Sequence, residues 1–258
     1  MHRLAVAALA FTWLSSALAG QEGIAWMSIN GASTILSEAA NGKAPEEGFF
    51  GSVSLGYLAN TGNTDSASLN AKTSLGYVSL PWRHALMLRA LTGSTNDQTT
   101  AREYEVAAQT DYIFGDRHYI FGAVNYNTNR FAGYDNRFSE VVGYGRRVIA
   151  TPRHTLDLQL GLGGRQTEFV DGTREDEGIV QFTGAYTWEF SKHANFSQRL
   201  RIEDGSTNTF TESTTALTAN LTGDLALSLS FTARRNSNVP AGAVSTDTAT
   251  LVSIIYGF

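Results

Sequence analysis

From Gly48 onward, apolar and polar residues alternate with a period of two, and the pattern persists to the end of the chain. In 177–190, EGIVQFTGAYTWEF, one parity carries Val180, Phe182, Gly184, Tyr186, Trp188 and Phe190. The other carries Ile179, Gln181, Thr183, Ala185, Thr187 and Glu189. In 154–167, Leu156, Leu158, Leu160 and Leu162 alternate with Asp157, Gln159, Gly161, Gly163 and Arg165. In 102–114, Tyr104, Val106, Ala108, Tyr112 and Phe114 alternate with Glu103, Glu105, Gln109 and Asp111. Successive side chains on a strand point to opposite faces, so each segment has one apolar and one polar face.

Twelve such segments are predicted, near 48–60, 64–78, 83–93, 102–114, 118–128, 137–149, 154–167, 177–190, 194–204, 208–221, 223–234 and 246–258. Parity is least distinct in 83–93 and 137–149, where Arg146-Arg147 suggests a bulge. The four prolines, at 45, 81, 152 and 240, all fall outside these segments, as residues unable to donate to a ladder should. The even-numbered connections are brief: SLPW, GDR, ATPR, SKHA and TG. The odd-numbered ones are longer, as in GSTNDQTT, NRFAGYDN, VDGTRED and NSNVPAGAVS, with NTGN the short exception.

Alternation alone also suits a soluble sandwich, which has one buried and one wet face. Three further features favour a membrane barrel. Residues 1–19 read as a secretory signal peptide: Arg3, an apolar run from Leu4 to Leu18, then Ala17-Leu18-Ala19 as the cleavage pattern. The strand count is even, and the last strand, TLVSIIYGF, sets Val252, Ile254, Tyr256 and Phe258 on one face. The predicted fold is therefore all-β, a transmembrane antiparallel up-and-down barrel over 48–258, with short turns in the periplasm. Residues 20–47 read as a periplasmic lead-in, poorly structured or with a short helix around Ala32–Ala40; a lumen plug is the alternative.

Composition narrows the partners. One of the 19 Lys and Arg residues, Arg3, lies in the leader, which leaves 18 against 24 acidic residues, a net charge of −6. No basic stretch invites nucleic acid. There is no cysteine, so neither a disulfide nor a lipidated N-terminal cysteine is available. No apolar run of about 18 residues follows the leader, which argues against a helical span. The expected surroundings are outer-membrane lipid and lipopolysaccharide. The strand ending at Phe258 is the element offered to the barrel-assembly machinery, and the chain is expected to be a monomer in a Gram-negative outer membrane.

If the apolar parity meets lipid, the polar parity lines the lumen. That set comprises Lys72, Glu103, Glu105, Asp111, Asp157, Arg165, Glu189, Arg199, Arg201, Glu203, Glu212 and Arg234. Both signs occur, which points to ion-pair ladders inside a polar core; a charge-lined passage for small solutes is the alternative. Twelve strands fall between eight-stranded barrels, which side chains fill, and 16–18-stranded porins, which hold a channel. Tyr57, Tyr77, Trp82, Tyr112, Phe114, Tyr119, Trp188, Phe190 and Tyr256 cluster near strand ends, as aromatic girdles do at the headgroups.

Three longer stretches carry a family resemblance: TGNTDSAS at 61–68, FGDRHYIFGAVNYNTNRFAGYDNRFSEVVGYGRRVI at 114–149, and NVPAGAVSTDTATLVSIIYGF at 238–258. They resemble the salt-induced outer-membrane protein family, YdiY-like barrels built on a domain of unknown function. The resemblance covers about 48–258 and departs at Asn129, where the family pattern more often has Asp. It implies an outer-membrane barrel connected with osmotic or ionic stress, and it brings no catalytic or ligand-binding residues.

Catalysis, a cofactor and a metal are not expected. Four histidines, His84, His118, His154 and His193, fall on the short turns at spacings of 34, 36 and 39 residues, marking successive hairpins. The long loops offer Asp135, Asp171, Glu175, Asp176 and Glu177 but no imidazole base for a serine–histidine hydrolase. VDGTREDE is acidic enough for weak Ca²⁺ attraction but lacks the ligand spacing of an EF-hand. The expected function is a non-enzymatic barrel, either a narrow pore or envelope-adaptation protein, or a closed structural or surface-interaction barrel.

Overall fold

The computed structural model describes residues 47–60, 66–95, 98–130, 134–239 and 245–258. The leader, the 20–47 lead-in as far as residue 46, and parts of the connections NTGN, GSTNDQTT, NRFAGYDN and NSNVPAGAVS lie outside the described residues. Twelve strands follow in order: β1 (Glu47–Asn60), β2 (Ser66–Ser79), β3 (Trp82–Thr95), β4 (Gln98–Ile113), β5 (His118–Asn129), β6 (Tyr134–Ala150), β7 (His154–Phe169), β8 (Arg174–Ser191), β9 (Ala194–Gly205), β10 (Thr209–Thr222), β11 (Leu225–Asn236) and β12 (Thr246–Gly257). Each pairs antiparallel with its sequence neighbour, and β1 pairs with β12 to close the barrel. At that seam Gly51 N donates to Phe258 O at 2.8 Å and Phe258 N returns to Gly51 O at 3.0 Å. The terminal aromatic thus takes part in the closing ladder, which pairs Ser52–Gly56 with Ser253–Gly257.

The strands run further than the sequence pattern predicts. β8 has 18 residues and β6 has 17, because pairing continues through segments read as long loops. VDGTRED, for example, contracts to a turn over 170–173, with Gly172 at φ +82°. In these extensions the outward face also carries polar residues, Arg174 and Asp176 in β8, so the apolar–polar contrast that marks a strand disappears while the ladder continues. The doublet Arg146-Arg147 stands at a register shift between Arg147 and Ile149.

The outer wall is apolar along the strand middles, with Leu160, Leu162, Val142, Leu229 and Ile254 exposed. Burial in this closed sheet means facing inward. At the short-turn end the interior is filled by large apolar groups that lie over glycines. The Phe50 ring covers Gly76, where an added Cβ would stand 2.3 Å from it. The Tyr119 ring covers its register partner Gly145, with a hypothetical Cβ at 2.2 Å. Tyr119 is therefore not a girdle residue as predicted. The gap at Gly145 draws its ring inside, where it joins Phe121, Val141 and Ile179.

Candidate functional site

Two charged layers occupy the lumen. In the layer nearer the short turns, Arg83 pairs with Asp111 at 2.7 Å and Gln109 Nε2 donates to Asp111 Oδ1 at 2.8 Å. Arg147 pairs with Asp157 at 3.0 Å. Between them, Gln159 Nε2 donates to the Tyr119 hydroxyl at 3.2 Å, and the Arg83 guanidinium lies 5.0 Å from the Tyr119 ring centroid.

The second layer is a continuous belt of alternating sign. Arg89 on β3 bridges Glu103 and Glu105 on β4. Glu103 also holds Arg234 on β11 at 3.0 Å, and Arg234 holds Glu212 on β10 at 2.6 Å. Arg201 on β9 joins Glu212 at 3.9 Å to Glu203 at 3.3 Å. Arg165 on β7 then links Glu203, at 3.3 Å, with Glu177 on β8, at 2.5 Å. Because β4 and β11 are not neighbours, the Glu103–Arg234 contact crosses the lumen. Mutual pairing compensates charges that would otherwise be costly away from bulk water.

The wall from β11 through β12 and β1 to β2 is built differently. Ser228, Ser230, Ser253, Ser52, Ser54, Asn70 and Ser74 are all buried there. Both amide atoms of Asn70 and the hydroxyls of Ser54, Ser74, Ser230 and Ser253 have no hydrogen-bond partner among the described residues.

Nine of the twelve residues anticipated for the lumen are buried there: Lys72, Glu103, Glu105, Asp111, Asp157, Arg165, Arg199, Glu203 and Glu212. Arg201 and Arg234 are slightly more open, with side chains 13% and 11% exposed. Glu189 stands apart at the short-turn end, past Trp188, where the β8–β9 register shifts, and its backbone N donates to Arg153 O at 2.8 Å. Glu177, read as a loop acid, is instead a buried partner of Arg165 in β8. Sequence reasoning missed Arg83, Arg89 and Arg147. All three lie in the two strands of indistinct parity, and pairing each strand with its clearer neighbour would have placed them inward.

The histidines do not converge. His84 Nδ1 lies 3.0 Å from Thr110 Oγ1, with Tyr77 and Trp82 stacked on either side at 6.3 Å. His118 bonds the Tyr144 hydroxyl, and His154 Nδ1 lies 2.8 Å from that of Tyr186, beside Trp188. These three belong to an aromatic band at the short-turn end, while His193 is in a turn. Among the described residues no three His, Asp or Glu side chains are grouped to hold a metal ion.

A closed antiparallel barrel with an apolar wall and a polar, charge-paired interior is the architecture of outer-membrane barrels. In fold it is similar to the COG4313 outer membrane channel from Pseudomonas putida F1, at a TM-score of 0.51 and 11% identity, covering 83% of this chain and 96% of that one. The NanC porin matches 80% of this chain and 97% of its own at a TM-score of 0.49 and 11% identity. In sequence, the "Uncharacterized protein YdiY" of Escherichia coli (strain K12) is 30% identical over 224 residues, 86% of this chain and 87% of that protein. The family described as "Protein of unknown function, DUF481" matches residues 53–258, and the chain belongs to it.

Proposed function

We propose that this chain is a non-enzymatic barrel of a Gram-negative outer membrane that carries a narrow, ordinarily closed pore for small polar solutes. The observation that carries the reading is the serine and asparagine wall. A lumen built only as a solid core would satisfy its buried polar groups. Here Asn70, Ser54, Ser74, Ser230 and Ser253 have side-chain polar atoms with no partner among the described residues, and water or a passing solute would supply what they lack. The belt crossing at Glu103–Arg234 narrows the same lumen, which favours a closed resting state.

In this reading the short turns face the periplasm and the other mouth faces outward. The chain works as a monomer surrounded by outer-membrane lipid and lipopolysaccharide, and the strand ending at Phe258 is recognised by the barrel-assembly machinery. Osmotic or ionic stress is the setting implied by family resemblance.

The test is conductance of the purified chain in a planar bilayer, with insertion verified by different migration of boiled and unboiled samples in SDS gel. Discrete, steady current steps support the pore. A folded, inserted barrel that stays silent across the voltage range overturns it in favour of a closed structural barrel.

A further inference from the structure

At the outward mouth, a cavity of about 390 Å³ is lined by Arg137, Thr167, Phe169, Glu175, Asn208 and Asn238, among others. Arg137 on β6, Thr167 on β7 and Glu175 on β8 are successive register partners. The cation and the carboxylate therefore flank Thr167, with backbones about 10 Å apart across two strand spacings. Arg137 is held in place: its Nε donates to Thr167 Oγ1 at 3.2 Å, and its guanidinium lies 4.4 Å from the Tyr134 ring centroid. Nη1 reaches Asn236 Oδ1 at 3.5 Å.

Deeper in the lumen, Arg83, Arg89, Arg147, Arg165, Arg201 and Arg234 each meet a carboxylate. Arg137 meets none, and Glu175 meets no cation, among the described residues. Arg174 and Glu177 also line the cavity, but Arg174 pairs with Glu168 and Glu177 with Arg165, so Arg137 and Glu175 are opposite charges that face it without an ion-pair partner among the described residues.

We infer that this mouth binds a small zwitterion, its carboxylate on Arg137 and its ammonium on Glu175. A guanidinium offers paired donors that match a carboxylate, and a carboxylate accepts readily from an ammonium. A simple anion would meet Glu175, Asp171 and Glu177, and a simple cation would meet Arg137 and Arg174. A molecule carrying both charges satisfies the two groups together, and the cavity lies within the size range of small-molecule sites. Binding here requires no conduction, so the inference stands apart from the pore reading.

The test is calorimetric titration of the folded full chain in detergent micelles with L-alanine, with acetate and ethylamine as single-charge controls. Alanine is expected to bind saturably, with acetate and ethylamine weaker by about tenfold or more. Glu175→Gln and Arg137→Gln should each weaken alanine by a similar factor, while Glu175→Gln leaves acetate no weaker. Arg137→Lys, which keeps the charge without the fork, should also weaken alanine if Arg137→Gln fails to fold. Acetate binding as tightly as alanine, alanine indifferent to Glu175→Gln, or no saturable alanine binding would each overturn the proposal. A barrel that binds alanine but stays silent in a bilayer overturns only the pore, and one that conducts without binding overturns only this site.

Discussion

Arg234 on β11 and Glu103 on β4 meet at 3.0 Å across the lumen, although four strands separate them on one side of the barrel and six on the other. The contact ties opposite walls together within the charged belt. Each member keeps a second partner, Arg89 for Glu103 and Glu212 for Arg234, so removing one should cost less than the loss of about 3–5 kcal/mol that comes from orphaning a buried charge. Arg234→Ala should still lower the urea midpoint of unfolding and raise unit conductance. Glu103→Ala/Arg234→Ala should conduct at least as well and lose less stability than the two single losses combined. An unchanged conductance in both variants would mean that this bridge does not limit passage.

Much of this arrangement is legible in the sequence. Asp157 and Arg165 lie in a strand whose other face carries Leu156, Leu158, Leu160 and Leu162, so parity points them inward, and Glu203 is placed the same way by Phe196, Leu200 and Ile202. The strand from Trp82 to Thr95 is harder, because Ala85, Met87 and Leu91 are buried inside while Leu86 and Leu88 face out. With apolar residues on both faces, the signal that would place Arg83 and Arg89 is lost. Glu177 was obscured for another reason: its strand neighbours on the outward face, Arg174, Asp176 and Gly178, give this end of β8 no apolar face. The pairing of Glu103 with Arg234 depends on barrel closure, which no local pattern encodes.

Tyr119 depends on the absence of a side chain at Gly145. An added Cβ would lie 2.2 Å from its ring, closer than any real contact. Gly145→Val should destabilise the barrel by about 1–3 kcal/mol through overpacking. Tyr119→Ala in the same chain should recover part of that loss, because the ring it collides with is gone. Chemical unfolding of the single and double variants measures the coupling, and strict additivity would refute the packing argument.

The β7–β8 turn carries its own pH dependence. Asp171 Oδ1 accepts from Thr173 Oγ1 at 2.6 Å and Thr173 N at 2.9 Å, and these bonds hold its carboxyl below the usual carboxylate range. A lowered folded value means that the turn's contribution is complete above the ordinary carboxylate pKa. It is lost only as pH falls through the lowered value. The Thr173 amide resonance in micelles should shift with a midpoint below that of a free aspartate, and Asp171→Asn should abolish the titration. A midpoint at or above the free value would contradict the geometry.

Leu160 tests which face meets lipid. It lies mid-strand in β7, is 58% exposed and pairs with Tyr144 and Phe182, both on the outer wall. Its chain neighbour Gln159 points inward to the Tyr119 hydroxyl. If the exposed wall is bathed in hydrocarbon, Leu160→Arg should cost about 2–4 kcal/mol in a bilayer. The same change in a water-facing wall would fall within the small effects of surface substitutions, about 0.5 kcal/mol. Leu221→Arg, on the same face but at the end of β10 beside the short turn, should cost less, because a long side chain there can reach the headgroups. Unfolding of the three chains from lipid vesicles therefore yields a depth profile. A flat profile would refute the assignment of this wall to the membrane.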